Sequence, residues 1–155
     1  MIVVAIIAIL AVIVVPQFTK ETRKSKAMSE VGAMFGELAI REDQYKTENS
    51  VYLEAAACPT SPGRAAQDAS SCIAAATPWE ALRVRLPTTK LYCSYQVVTN
   101  TTASPPALPA GITFTAPAVS WYYILATCDQ DGDKLESTYF TSTVDSKIQK
   151  LNDGE

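Results

Sequence analysis

Met1-Ile2-Val3-Val4-Ala5-Ile6-Ile7-Ala8-Ile9-Leu10-Ala11-Val12-Ile13-Val14-Val15-Pro16-Gln17-Phe18 decides how the rest of the chain is read. Fifteen apolar residues precede Pro16, and no charge appears before Lys20. A helix of that composition is apolar all round, so it belongs in a bilayer or in the core of an assembly. Ile and Val are mediocre helix formers in water. In an apolar medium the backbone must satisfy its own hydrogen bonds, and helix wins regardless of propensity. The run is shorter than the roughly 20 residues that span a bilayer. A signal-peptide core has the same length, but Pro16-Gln17-Phe18-Thr19-Lys20 is not a small-residue cleavage site with polar flanks. Pro16 removes a backbone donor, which predicts a bend or local melting there.

The totals narrow the function. A chain of 155 residues holds one small domain plus this segment. A net charge of −3 argues against a dedicated nucleic-acid binder. The absence of histidine removes His-dependent triads and His-containing zinc sites, and an enzyme is not expected. Cys58, Cys72, Cys93 and Cys128 contain no Cys-x-x-Cys pair, which disfavours a zinc ribbon or a thioredoxin-like motif. An even count behind a membrane-inserting segment fits disulfides in an oxidising space, and buried free thiols are the alternative. Four cysteines allow three pairings.

The opening stretch resembles the N-terminal helix of bacterial type IV pilins and the related secretion pseudopilins. Mature chains of that family begin with a run of the kind Phe-Thr-Leu-Ile-Glu-Leu-Met-Ile-Val-Val-Ala-Ile-Ile-Gly-Ile-Leu. Met1 to Ile7 and Ile9-Leu10 match it, and Pro16 falls where the family carries a proline. The resemblance implies that a leader, a cleavage site and six mature residues precede Met1, among them an early glutamate that pairs with a neighbouring subunit. It implies a pilin fold of class α+β, a long N-terminal helix on a small antiparallel sheet of three to four strands with disulfide-closed loops. Ile2, Val3, Val4, Ile6, Ile7, Ile9, Leu10, Val12, Ile13, Val14, Val15, Pro16 and Phe18 would then form the membrane anchor and the filament core. The family's helix-weakening glycine is replaced by Ala8, so any loosening rests on Pro16. The implied partners are other copies of the chain, the inner membrane before assembly and the pilus assembly machinery.

From residue 19 the chain reads as a globular head. Val31, Met34, Phe35, Leu38 and Tyr45 recur at helical spacing among mixed charges, which extends the helix to about Lys46. Gly32 and Gly36, four apart, permit close approach of another backbone, or are simply tolerated. Lys20, Arg23, Lys24 and Lys26 would put this end in the cytoplasm by the positive-inside rule. The cysteines and the basic leader that the resemblance implies place the head outside. Residues 37–52, with Tyr45 and Tyr52 around an acidic-Asn turn, also look like the end of the long pilin helix.

Residues 48–90 read as the loop region between helix and sheet, with 53–77 rich in Ala, Ser and Pro. Closing Cys58 onto Cys72 would contribute roughly 3 kcal/mol in the chain-entropy model. Thr77-Pro78-Trp79-Glu80 has the form of a capping box, opening a helix to about Arg85 that Pro87 ends. Residues 91–143 read as antiparallel sheet, with strands at Leu91–Thr99, Trp121–Cys128 and Leu135–Ser142. The prolines of 103–111 exclude a central strand there and predict exposed loop. If Cys93 faces Cys128, Tyr95 faces Ala126 and Val97 faces Ile124. One face then carries Leu91, Cys93, Tyr95, Val97, Ile124 and Ala126 toward the helix, which favours Cys58–Cys72 and Cys93–Cys128. Tyr92, Ser94, Gln96, Trp121 and Tyr123 fall on the other. The tail 144–155 reads as short helix or coil, with Val144, Ile148 and Leu151 at helical spacing.

Asp129, Asp131, Asp133 and Glu136 place four carboxylates within eight residues. Two readings stand: a hairpin turn that uses Asp and Gly for conformational reasons, and a calcium site, since calcium takes 6–8 oxygens. The glycine spacing is not that of an EF-hand. Related pilins and pseudopilins often carry Asp-x-Asp-Gly-Asp late in the chain. Arg83, Arg85 and Lys90 read as a solvated face rather than a nucleic-acid site. Asn100-Thr101-Thr102 fits an N-glycosylation pattern. The expected function is a structural subunit of an extracellular type IV pilus, in motility, adhesion or uptake. A type II secretion pseudopilin is the first alternative, and a membrane-anchored calcium- or ligand-binding domain the second.

Overall fold

The computed structural model describes residues 2–153, and within 2–23 the side chains of Ile7, Phe18, Glu21 and Thr22 alone. The side chains of Ile2, Val3, Val4, Ile6, Ile9, Leu10, Val12, Ile13, Val14, Val15 and Pro16 lie outside the described residues. One helix, α1 (Ile2–Asn49), runs past position 16 as a single element. Local melting at Pro16 is therefore corrected for the single chain: a proline deletes one hydrogen bond and leaves the neighbouring i→i−4 bonds intact. The helix ends at Asn49, three residues beyond the expected end, where Ser50 enters the left-handed region at φ 65°.

The buried stripe of α1 comprises Ala27, Val31, Met34, Phe35, Leu38 and Glu42. It packs on the inner face of a five-stranded antiparallel sheet in the order β1-β4-β5-β6-β7. The strands are β1 (Ala55–Cys58), β4 (Cys93–Thr99), β5 (Tyr122–Cys128), β6 (Ser137–Ser142) and β7 (Gln149–Leu151). A separate ribbon joins β2 (Gln67–Asp68) to β3 (Lys90–Leu91). Cys93 pairs with Cys128, Tyr95 with Ala126 and Val97 with Ile124, the register that the alternation implies. The disulfides are Cys58–Cys72 and Cys93–Cys128.

Three expectations change. The sheet has five strands rather than three to four, because β1 comes from the Ala-rich loop region and β7 from the tail. Val144 is exposed, so the helical spacing of the tail marks no buried face. The short helix α2 (Pro78–Ala81) stops four residues early, since Arg83 at φ 55° turns the chain before Pro87 can. Only half of its capping box forms: the Thr77 hydroxyl accepts from the Glu80 amide at 3.2 Å, while the Thr77 amide donates to Ala74.

The 100–121 segment makes no strand, as its prolines require, yet it is not simply exposed. Buried Ile112, with half-buried Leu108 and Phe114, packs over Val98, Tyr123, Leu125 and Phe140 on the outer face. The sheet is therefore covered on both sides. Aromatic side chains dominate the outer layer: Phe114 sits edge-on to Trp121 and Tyr123, at 5.1 and 5.3 Å between ring centroids.

Three glutamates of α1 tie the returning chain to the helix. Glu30 accepts from the amides of Tyr92 and Cys93 and from the Tyr95 hydroxyl, at 3.0–3.1 Å. Glu37 accepts from the Arg85 amide at 2.9 Å and from Arg41 Nε at 2.8 Å. Burial opposes the Glu37 charge, but the Arg41 and Arg85 hydrogen bonds and charges outweigh it and hold the carboxyl below its usual range. Glu42 accepts from the Leu53 amide at 3.0 Å.

Glu30→Ala strands three donors at once and is expected to cost at least about 2 kcal/mol. Glu30→Gln, which keeps an acceptor oxygen, should cost less than half as much in urea melts. By loop length, replacing Cys93 and Cys128 with serine should destabilise by about 4 kcal/mol, against about 3 for the Cys58–Cys72 pair. Paired denaturation curves under non-reducing conditions rank the two.

Candidate functional site

The connection from β5 to β6 spans residues 129–136 and begins directly after the Cys93–Cys128 bridge. Its conformation follows from its residue types. The Asp129 carboxylate accepts from the Gly132 amide at 2.8 Å, that of Asp131 from Asp133 at 3.4 Å, and that of Asp133 from Leu135 at 2.7 Å. Each is a short aspartate folding back on its own backbone, the chemistry for which turns recruit Asp. Gly132 sits at φ 81°, a conformation open to glycine and strained for most other residues.

These folds gather the carboxylates of Asp129, Asp131 and Asp133, with one oxygen of each within 4.8 Å of the others. Two ligands of one calcium lie at most about twice 2.3–2.6 Å apart, so the three oxygens can share one ion. They are hard donors, and the remaining ligands would come from backbone carbonyls and water. Glu136 is not part of the group: its side chain is exposed, and its carbonyl accepts from Asn152 Nδ2 at 3.4 Å. The carboxylates that lie together are those of Asp129, Asp131 and Asp133, and Lys134, at φ 73°, stands between them and Glu136 in the chain. Glycine 132 thus serves the turn in either reading. The site is a candidate metal centre rather than a catalytic one.

The other candidate surface is the N-terminal half of α1. Ile7 is 61% exposed and Phe18 is 73% exposed, and Ala27 is the first buried residue among those described. Among the described residues no helix is long and apolar enough to cross a membrane. Beside Phe18, α1 and the segment 87–92 enclose an open groove of about 870 Å³, lined in part by Thr22, Pro87, Leu91 and Tyr92. Lys26 caps its rim with its ammonium 3.6 Å from the centroid of the Tyr92 ring. Gly32 and Gly36 are exposed, and among the described residues beyond their own helical turn nothing lies within 4 Å of where a Cβ would stand, so no described backbone packs closely on them.

Arg83, Arg85 and Lys90 are all exposed, and Asn100 is exposed in the turn after β4. The helix glutamates had no distinguishing sequence signal beyond one: Glu42 continues the buried stripe four residues after Leu38.

Calcium titration followed by thermal melting tests the acidic loop. At about 100 times the dissociation constant a single site adds about 2.7 kcal/mol, and Asp131→Ala should abolish the gain. No family model matches the sequence, and neither a curated protein nor a solved structure does.

Proposed function

We propose that the chain is a type IV pilin-like filament subunit. Residues 1–15 hold it in the inner membrane before assembly and polymerise with other copies afterwards, while the head faces the periplasm and then the cell exterior. One observation carries the reading. A single 48-residue helix, α1, begins with a pilin-like apolar run, and among the described residues it buries side chains on its own head from Ala27 onward, with Lys24 pairing with Asp153 just before. The apolar stretch from Ile2 to Phe18 rises roughly 26 Å at about 1.5 Å per residue. Ile7 and Phe18 on it are exposed, and an apolar rod of that length needs a cover, either lipid or like helices of other copies. Burial of apolar surface returns about 25 cal/mol per Å², which favours bundling once extraction from the bilayer is offset. Assembly machinery is the natural partner for that transfer, and the filament would serve motility, adhesion or uptake.

The acidic triad Asp129, Asp131 and Asp133 favours a second reading, a type II secretion pseudopilin with calcium as a structural ion. The folded 100–121 segment over the outer sheet face supports the pilin, since it builds an ordered surface on the head. A membrane-anchored calcium- or ligand-binding domain that never polymerises uses the same anchor and loop.

Shearing surface filaments from the source cells and probing them for this chain separates the three. The chain is expected as the repeating protein of long sheared filaments. Recovery solely as a membrane-bound monomer overturns the filament reading. Assembly that depends on secretion components, with no long surface filament, selects the pseudopilin.

A further inference from the structure

Glu42 stands where a hydrophobic residue would be expected, in line with Val31, Met34 and Leu38 on the buried face of α1, and it is 0% exposed. One carboxylate oxygen, Oε2, accepts from the Leu53 amide at 3.0 Å. The other, Oε1, is buried with no hydrogen-bond partner among the described residues. The groups around it do not neutralise a charge. Asp43, next on the helix, adds a like charge. Tyr52 from the returning chain and Tyr122 from β5 meet edge to face at 4.8 Å, and burial pushes the Tyr122 hydroxyl well above its usual range, helped by Asp43, Tyr52 and Glu42. The nearby cation, Lys46, is spent on Tyr52, with its ammonium 3.2 Å from the hydroxyl and 4.3 Å from the ring centroid.

The segment that Glu42 holds is short and thinly attached. Ser50 is in the left-handed region, Val51 is 45% exposed, Glu54 is exposed, and β1 begins at Ala55. Its described ties to the body of the head are the Glu42–Leu53 hydrogen bond, the Tyr52 ring, the half-buried Leu53 side chain and the Ser50 amide, which donates to the Lys46 carbonyl at 2.7 Å.

We infer that Glu42 is a proton-operated latch: neutral, it clamps residues 50–54 onto the end of α1, and ionised, it releases them. A buried carboxyl without a cation keeps its proton because the charged form loses its hydration. Burial accordingly moves the Glu42 pKa up to about 7, with Asp43 adding to the shift and the Leu53 amide opposing it. When the segment opens, Glu42 meets water and returns to its ordinary value of 4.5. The folded value lies above the open one, so the closed state binds the extra proton. The clamp is therefore fully favoured below about 4.5, weakens as pH rises through the interval, and reaches its weakest level above about 7. Across that window the opening equilibrium should rise by on the order of a hundredfold, close to tenfold per pH unit. The latch belongs to the head alone and holds whether or not the chain polymerises.

Amide hydrogen exchange of Leu53, corrected for the intrinsic rate, tests it on the full chain between pH 4.5 and 8.5. The expected result is an opening constant that climbs through the acidic range and levels off above about pH 7. Glu42→Gln, isosteric and uncharged, should flatten that profile, whereas Asp43→Asn should keep the rise. A carboxyl-carbon NMR titration of Glu42 in the unsubstituted chain reads the same group without relying on a variant that folds. A Glu42 midpoint in the ordinary carboxylate range overturns the inference, as does a Leu53 profile that is flat or that Glu42→Gln leaves unchanged.

Discussion

The head depends on carboxylates from one helix gripping backbone amides of a chain that returns much later. Glu42 takes Leu53, eleven residues on; Glu37 takes Arg85, 48 on; and Glu30 takes Tyr92, 62 on. Each bond satisfies a donor that the irregular 50–92 region could not pair within itself. The apolar stripe supplies attraction without direction, while the carboxylates fix which peptide sits where. A charged acceptor also makes a stronger hydrogen bond than a neutral one, which favours the Glu37 clamp, whose carboxyl is held below its usual range. Glu30 holds the position at which β3 gives way to β4, beside the Cys93–Cys128 bridge.

Legibility in the sequence followed the physics of repetition. Two strands with period-2 alternation and a cysteine at one end of each permit one register that buries a consistent face, and that register is present. The stripe on α1 was equally plain. Strand β1, Ala55-Ala56-Ala57-Cys58, carries almost no intrinsic β preference and is a strand because β4 offers it an edge. Ile112 and Phe114 sit beyond a run of prolines, where composition reads as loop and says nothing of what the loop covers. Three of the four acidic residues at 129–136 cluster, and the exposed Glu136 is not among them. The clamps were illegible because a glutamate on a helix looks like a solvated charge until its acceptor role is visible.

The division along α1 frames the functional proposal. Its later half is buried on its own head from Ala27, whereas Ile7 and Phe18 on its earlier half are exposed. A cover over Ile7 and Phe18 can change without repacking the sheet, since neither belongs to the buried core. The acidic loop lies at the other end of β5 from the aromatic cluster, so a cation there would brace the sheet beside the Cys93–Cys128 bridge rather than stiffen the outer layer.

The two-sided sheet has a spectroscopic consequence. The chain has two tryptophans, and the fold assigns one to each layer. Trp79 lies in the inner core with its indole N–H donating to the Ala56 carbonyl at 2.9 Å. Trp121 lies in the outer layer, stacked on Tyr123 at 5.8 Å and 7°. Their emission therefore comes from opposite sides of β4 and β5, in a hydrogen-bonded interior and an aromatic stack. A chain keeping one indole at a time would be a two-channel optical reporter, able to register whether the layers come apart together or in turn.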